Sequence, residues 1–329
     1  MRMESHSPLG IYYGKDDVYV YRTCHTPLHA WTPIHESPVE FRDQTVFGAR
    51  VRMAVEGDAF LPSFRDGDNR DVIATDSMKN FLLRHAALYE GPSLDGYLAF
   101  AGGRLLETYP HVRAVELYAD EQAFRPVPVP GAEGFEDSTL VFLHSRNEWS
   151  TAELRMERHP DGSPFVVWHR SGLDGLHLIK IRGNSFVGYI RDEYTTLPED
   201  SNRPLYVFLS ARWTYVDPLS ALSNQATGYV LAEQIRDLAG AVFHALDTRS
   251  IQHLIHRICA LALVRFPQLE SITFQSQNRT WERIVETADG RGQVYTEPRP
   301  PFGFQGITMT RADLAEQWPH FEAEWETAT

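Results

Sequence analysis

Stretches of strand-like alternation, then two of helical spacing, then strands again: this order occurs twice along the chain and limits the folds open to it. In the first half, Val18-Tyr-Val-Tyr21 and Val51-Arg-Met-Ala-Val55 put every second residue on one face, as half-buried strands do. Met78, Phe81, Leu82, Ala86 and Tyr89 then recur at helical spacing, with Thr75 or Asp76 as N-cap. Gly91-Pro92-Ser93 breaks this helix and caps a second, with Leu94, Leu98, Ala101 and Leu105 inward and Pro110 beyond its end. Strand-like runs return at Val115-Glu-Leu117 and Leu140-Val-Phe-Leu143, separated by a proline-rich loop from Pro126 to Pro130.

The second half repeats the order. Strands are predicted at Phe165 to Trp168, Leu176 to Ile181 and Leu205 to Leu209. One helix carries Leu231, Ile235, Leu238 and Val242; a second, capped by Ser250, carries Ile251, Leu254, Ile255, Ile258 and Leu261. Final strands are expected at Ser271 to Phe274 and Gly306 to Met309, around a loop from Glu297 to Pro301. The fold class is therefore α+β, with antiparallel sheets in two tandem domains, 1–155 and 156–329. The second domain ends in a helical tail bearing Trp318, Phe321 and Trp325. Four strands with helices on one face leave edges that must be paired or covered. Closure with copies from other subunits would cover them, so oligomerisation is expected.

Composition narrows the function classes. A length of 329 residues suits two domains at about 150 residues each. A net charge of −13 argues against nucleic acid, which needs clustered Lys and Arg. Cys24 and Cys259 are too few for a disulfide framework or a four-cysteine zinc site and fit a reducing compartment. No apolar run reaches membrane-spanning length, and neither a signal core nor a peroxisomal tripeptide is present, so a cytoplasmic protein is expected.

Three segments are more specific: Tyr13-Gly-Lys-Asp-Asp-Val18, Val72-Ile-Ala-Thr-Asp-Ser-Met-Lys-Asn80 and Ser185-Phe-Val-Gly-Tyr-Ile-Arg-Asp-Glu-Tyr-Thr-Thr-Leu197. With Arg203, Ser250-Ile-Gln252, Asn278 and Pro301-Phe-Gly-Phe-Gln-Gly306, they resemble the urate oxidases (uricases), in order over residues 11 to 311. His25 to Glu40 is insertion-like against that family. The resemblance implies two tandem tunnelling-fold domains whose sheets form a barrel on oligomerisation, with the helices outside. It also implies a homotetramer with active sites at subunit interfaces, and oxidation of urate by O₂ to 5-hydroxyisourate and hydrogen peroxide, with no cofactor.

By residue type, Phe186 is an aromatic for a purine face, and Arg203 a planar fork for an anionic heterocycle. Standing alone, these would more often be a core aromatic and a surface ion-pair partner. The resemblance assigns substrate binding to Phe186, Arg203, Gln252, Ile251 through its backbone, and Asp76. It assigns Lys15 and Thr75 to proton transfer, where a desolvated lysine beside a hydroxyl loses its proton near neutral pH. Asn278 would face the oxygen slot. The family's catalytic histidine falls on Thr280, and no histidine lies between Ile272 and Trp281. Threonine relays a proton but is no base near neutral pH.

Three outcomes stay open: oxidation of urate, a related enzyme of a specialised biosynthetic pathway acting on another heterocycle, or purine binding without turnover. His244, His253 and His256 are candidates to replace the missing base. The fourteen histidines, including His25, His29 and His35, do not make a metal-ligand set, so no metal is expected. The zinc-dependent cyclohydrolases of the tunnelling fold need Cys and His ligand motifs in which Cys24 and Cys259 do not sit.

Overall fold

Alternation of apolar and polar residues builds, in each half of the chain, an antiparallel sheet with one face sealed by two helices. The computed structural model describes residues 10–131, 134–144, 147–280, 282–289 and 292–317, with Thr280 described in its backbone only. Two compact units result: 1–33 with 39–172 and 214–231, and 34–38 with 173–213 and 232–329.

The first unit holds β1 (Tyr12–Thr23), β2 (Leu28–His29), β3 (Phe41–Arg42), β4 (Val46–Glu56), β5 (Ala114–Glu121), β6 (Phe124–Gly131), β7 (Gly134–His144), β8 (Trp149–Arg158) and the start of β9 (Pro164–Lys180). Its helices are α1 (Leu61–Asp66), α2 (Thr75–Leu88), α3 (Leu94–Thr108) and α4 (Pro218–Leu222). The strand order is β1-β4-β5-β8-β9. Val18, Val51, Met53, Leu117 and Leu154 face the helices and pack with Met78 and Leu82 of α2 and Leu98, Ala101 and Leu105 of α3. Each such large side chain contributes about 1.5–3 kcal/mol on full burial.

The opposite face of this sheet carries charge. Arg155, 2% exposed, reaches Glu56 at 2.7 Å and Glu157 at 2.9 Å, while Arg113 also pairs with Glu56. These residues explain why β8 was not legible: Ala152-Glu-Leu-Arg-Met-Glu157 has helix-forming composition, yet alternates into an apolar and a charged face. The strand predicted at Leu140 to Leu143 lies instead in β7. It pairs with β6 in a separate ribbon, and the expected proline loop is β6 itself. A two-stranded ribbon tolerates prolines because each strand has a free edge.

The second unit holds the end of β9, then β10 (Leu205–Tyr215), β11 (Leu269–Thr280), β12 (Arg283–Glu286), β13 (Gln293–Tyr295) and β14 (Arg299–Thr310). Its order is β9-β10-β11-β14, with β12 and β13 forming a hairpin. Helices α5 (Ala232–Ala245) and α6 (Ile251–Arg265) cover it. Ser250 caps α6, accepting from the His253 amide at 3.1 Å. The two strands predicted at 165–168 and 176–181 are one strand, β9, because Gly175 passes through at φ 72° where the alternation breaks. Part of the expected loop at 297–301 opens β14. Residues 311–317 are helical; Trp318, Phe321 and Trp325 lie outside the described residues.

Candidate functional site

The start of α6, the end of β11 and the loop between β9 and β10 enclose a cavity of about 810 Å³ in the second unit. Phe186, Arg203, Ile251, Gln252 and Asn278 all line it, with Arg279, Tyr295 and Gln305. Residues far apart in sequence reach one space because each backbone is pinned. Phe186 forms a bridge with Asp200, its amide donating to the Asp200 carbonyl at 2.8 Å. The Arg203 amide donates to the Asn184 carbonyl at 2.9 Å. The buried Asn184 side chain in turn donates to the Arg203 carbonyl at 3.0 Å and the Lys180 carbonyl at 3.2 Å. Ile251 and Gln252 occupy the first turn of α6, where amides have no partner within the helix. Asn278 lies in β11 opposite Gly303.

Arg203 is the cation set beside the aromatic face, in a lining that also holds Arg279, Arg283, Asp200 and Glu282. Its guanidinium carbon lies 5.5 Å from the Phe186 ring centroid, and Phe186 stacks with Tyr189 at 4.9 Å and 15°. Among the described residues the guanidinium makes no hydrogen bond or ion pair, and its Nε is buried without a partner. Burial pulls its pKa below arginine's ordinary range, with Asp200 opposing, yet the group remains a cation. A half-buried cation beside an aromatic face, in a cavity also lined by the first turn of α6, suits a flat anion.

Lys15, Thr75 and Asp76 lie in the first unit. Lys15 is half-buried and stands immediately before a bulge in β1, where Asp16 and Asp17 oppose the single residue Arg52. Asp17 takes up the bulge at φ 59°, and bulges of this kind re-aim side chains. Thr75 is exposed. It is not the N-cap of α2: that position is Ala74, and no side chain caps the helix. Asp76 accepts from Lys79 Nζ at 2.5 Å and Asn80 Nδ2 at 2.9 Å, so neither predicted cap residue serves as one. The Lys79 ammonium holds the Asp76 carboxyl below the usual carboxylate range; Asn80 and Lys15 add to the effect.

Thr280 closes β11, with its backbone opposite Arg299; its side chain lies outside the described residues. Among the described residues, His244, His253 and His256 do not line the cavity. His256 bonds Gln317 at 2.7 Å, and burial holds the His253 pKa below its ordinary value.

The sequence profile described as Uricase matches residues 11–153 and 169–305. The chain is 48% identical over 316 residues to the uric acid degradation bifunctional protein of Bacillus sp. (strain TB-90), covering 96% of this chain and 63% of that one. It thus spans less than two thirds of that relative. Against the uricase of Halalkalicoccus jeotgali the identity is 48%, covering 93% of this chain and 99% of that protein. The crystal structure of a uricase from Bacillus fastidious superposes with TM-score 0.90 at 47% identity, covering 94% of this chain and 96% of that one. The chain belongs to the uricase family.

Within this uricase-family chain, sequence reasoning missed several residues that shape the site. Asn184 precedes the long motif by one residue and organises its loop, a role that only its buried environment reveals. Gln305, inside the Pro301-Phe-Gly-Phe-Gln-Gly306 motif, accepts from Ser276 at 3.0 Å and lines the cavity. Arg279 lies 4.4 Å from the Phe208 ring centroid and donates to Gln277. No local signal separates Arg279 from an ordinary surface arginine.

Proposed function

We propose that this chain is a cofactor-independent oxidase of urate or a closely related planar purine-like heterocycle. For urate, the balanced reaction takes urate, O₂ and water to 5-hydroxyisourate and hydrogen peroxide. Two electrons leave the ring and reduce O₂, and water supplies the new hydroxyl oxygen. The observation that carries this reading is the Arg203 guanidinium, half-buried, unpaired among the described residues, and beside Phe186 in the cavity.

In this reading Arg203 and Gln252 grip opposite edges of the ring, Phe186 stacks on its face, and the Ile251 backbone contributes an amide. Lys15 and Thr75 remove the proton that makes the ring electron-rich, with Asp76 supporting them. Asn278 donates to oxygen or peroxide. The acting species is a homotetramer in the cytoplasm with active sites at subunit interfaces; the edge strands β1 and β14, which need covering, and the low cysteine count support this.

Thr280 favours a second reading. It stands where the family resemblance expects histidine, so the proton network beside the oxygen slot is altered, with Thr280 serving as a relay rather than a base. A different heterocycle, or purine binding without turnover, follows from that change. Purified protein and urate in air separate these readings. Loss of urate absorbance with one peroxide released per urate supports the first; bound but unconsumed urate defeats it and leaves the second.

A further inference from the structure

We propose that Tyr13 is a positioning residue for the Lys15–Thr75 pair, acting through the backbone of Ile73. This inference rests on the reading of Lys15 and Thr75 as the proton-transfer pair.

Tyr13 uses one hydroxyl to hold both backbone groups of one residue. It accepts from the Ile73 amide at 2.7 Å and donates to the Ile73 carbonyl at 3.2 Å. Sixty residues separate the partners, so the contact fastens β1 to the lead-in of α2. Tyr13 and Lys15 are two apart on β1 and share a face; Ile73 and Thr75 are likewise two apart. The clamp therefore closes a short loop of structure on the two groups that would exchange a proton.

Both ends of that loop are stiff. The Tyr13 ring stands edge-on to the buried Phe60, with centroids at 4.9 Å and planes at 88°. Gly14 follows, and a Cβ there would lie 2.0 Å from the Met53 carbonyl oxygen, so β1 and β4 approach as closely as backbones allow. After Lys15 comes the bulge. Beyond Ile73, Ala74 is extended (φ −56°, ψ 135°) and the helix begins at Thr75. Burial raises the Tyr13 pKa above the usual phenol range, so the phenol keeps the proton with which it donates to the Ile73 carbonyl. The phenol is thus a fixed strut and not a base.

Tyr13→Phe keeps the ring against Phe60 and deletes both hydrogen bonds. With urate as substrate, kcat should fall at least tenfold while KM stays within twofold, because the Arg203 cavity is untouched. Misplacement by about 1 Å costs on the order of 10²-fold in rate. The limb of the pH–rate profile that Lys15→Met abolishes should move in Tyr13→Phe. In a Thr75→Ala background, Tyr13→Phe should add less than twofold. A kcat fall of less than tenfold overturns the inference, as does an equal fall in both backgrounds or loss of the folded state, since the hydroxyl would then serve the fold and not the pair. If instead Lys15→Met and Thr75→Ala leave kcat unchanged, the proton-transfer reading itself has failed, and Tyr13 falls with it.

Discussion

Replacing Arg203 gives the sharpest test of the cavity, because the structure separates its contribution to stability from its contribution to binding. Among the described residues the guanidinium forms no hydrogen bond or ion pair, and its one aromatic contact is Phe186 at 5.5 Å. Its removal breaks no hydrogen bond and sets the lost attraction to Asp200 against relief from burying a cation, so the change in folding stability should stay within about 1 kcal/mol. For an anionic ligand the cost is different. A hydrogen bond to a charged group contributes about 1.5–3 kcal/mol, and a planar fork makes two in one geometry. Arg203→Gln should therefore lose about 3 kcal/mol, roughly 10²-fold in kcat/KM. Arg203→Lys keeps the charge but not the fork and should lose about 1.4 kcal/mol, roughly tenfold. Initial rates of urate absorbance loss across a concentration series, beside urea unfolding of each variant, measure both quantities. A kcat/KM within threefold of the parent in Arg203→Gln would refute the reasoning, as would a stability loss above about 2 kcal/mol, which would mean an unrecognised internal partner.

Three further outcomes are expected. Thr280→His should raise urate turnover if the chain is a uricase whose base is missing; unchanged or lower turnover points to a different native reaction. Gly14→Ala should destabilise by about 1–3 kcal/mol or more, since the added methyl meets the Met53 carbonyl and Ala54 Cα at 2.0 and 2.8 Å; an unmoved urea midpoint would contradict this. His25 is buried, and desolvation followed by Arg22 lowers its pKa from 6.5 to about 4. The unfolded chain then protonates first on acidification, so stability from this group is full above pH 6.5 and declines by about 3 kcal/mol towards pH 4. His25→Leu should flatten unfolding free energy over that window, and an unchanged slope would show that other groups set it.

The local physics of the chain was legible without the structure. Helices α2, α3, α5 and α6 follow from apolar spacing, and the Ser93 and Ser250 caps from their positions, because these depend on contacts within a few residues. The charged strand β8 and the proline strand β6 were not legible, since each is decided by what lies across the sheet. The same division runs through the site. Residue types and motif resemblance were enough to name Phe186, Arg203, Ile251, Gln252 and Asn278, and the second unit brings those five to one cavity. Only the tertiary structure decided that Arg203 lacks an internal partner, that Asn184 holds its backbone, and that Tyr13 ties β1 to Ile73. Pairing across tens of residues depends on which other groups compete for each donor and acceptor, and a linear sequence records the groups but not that competition.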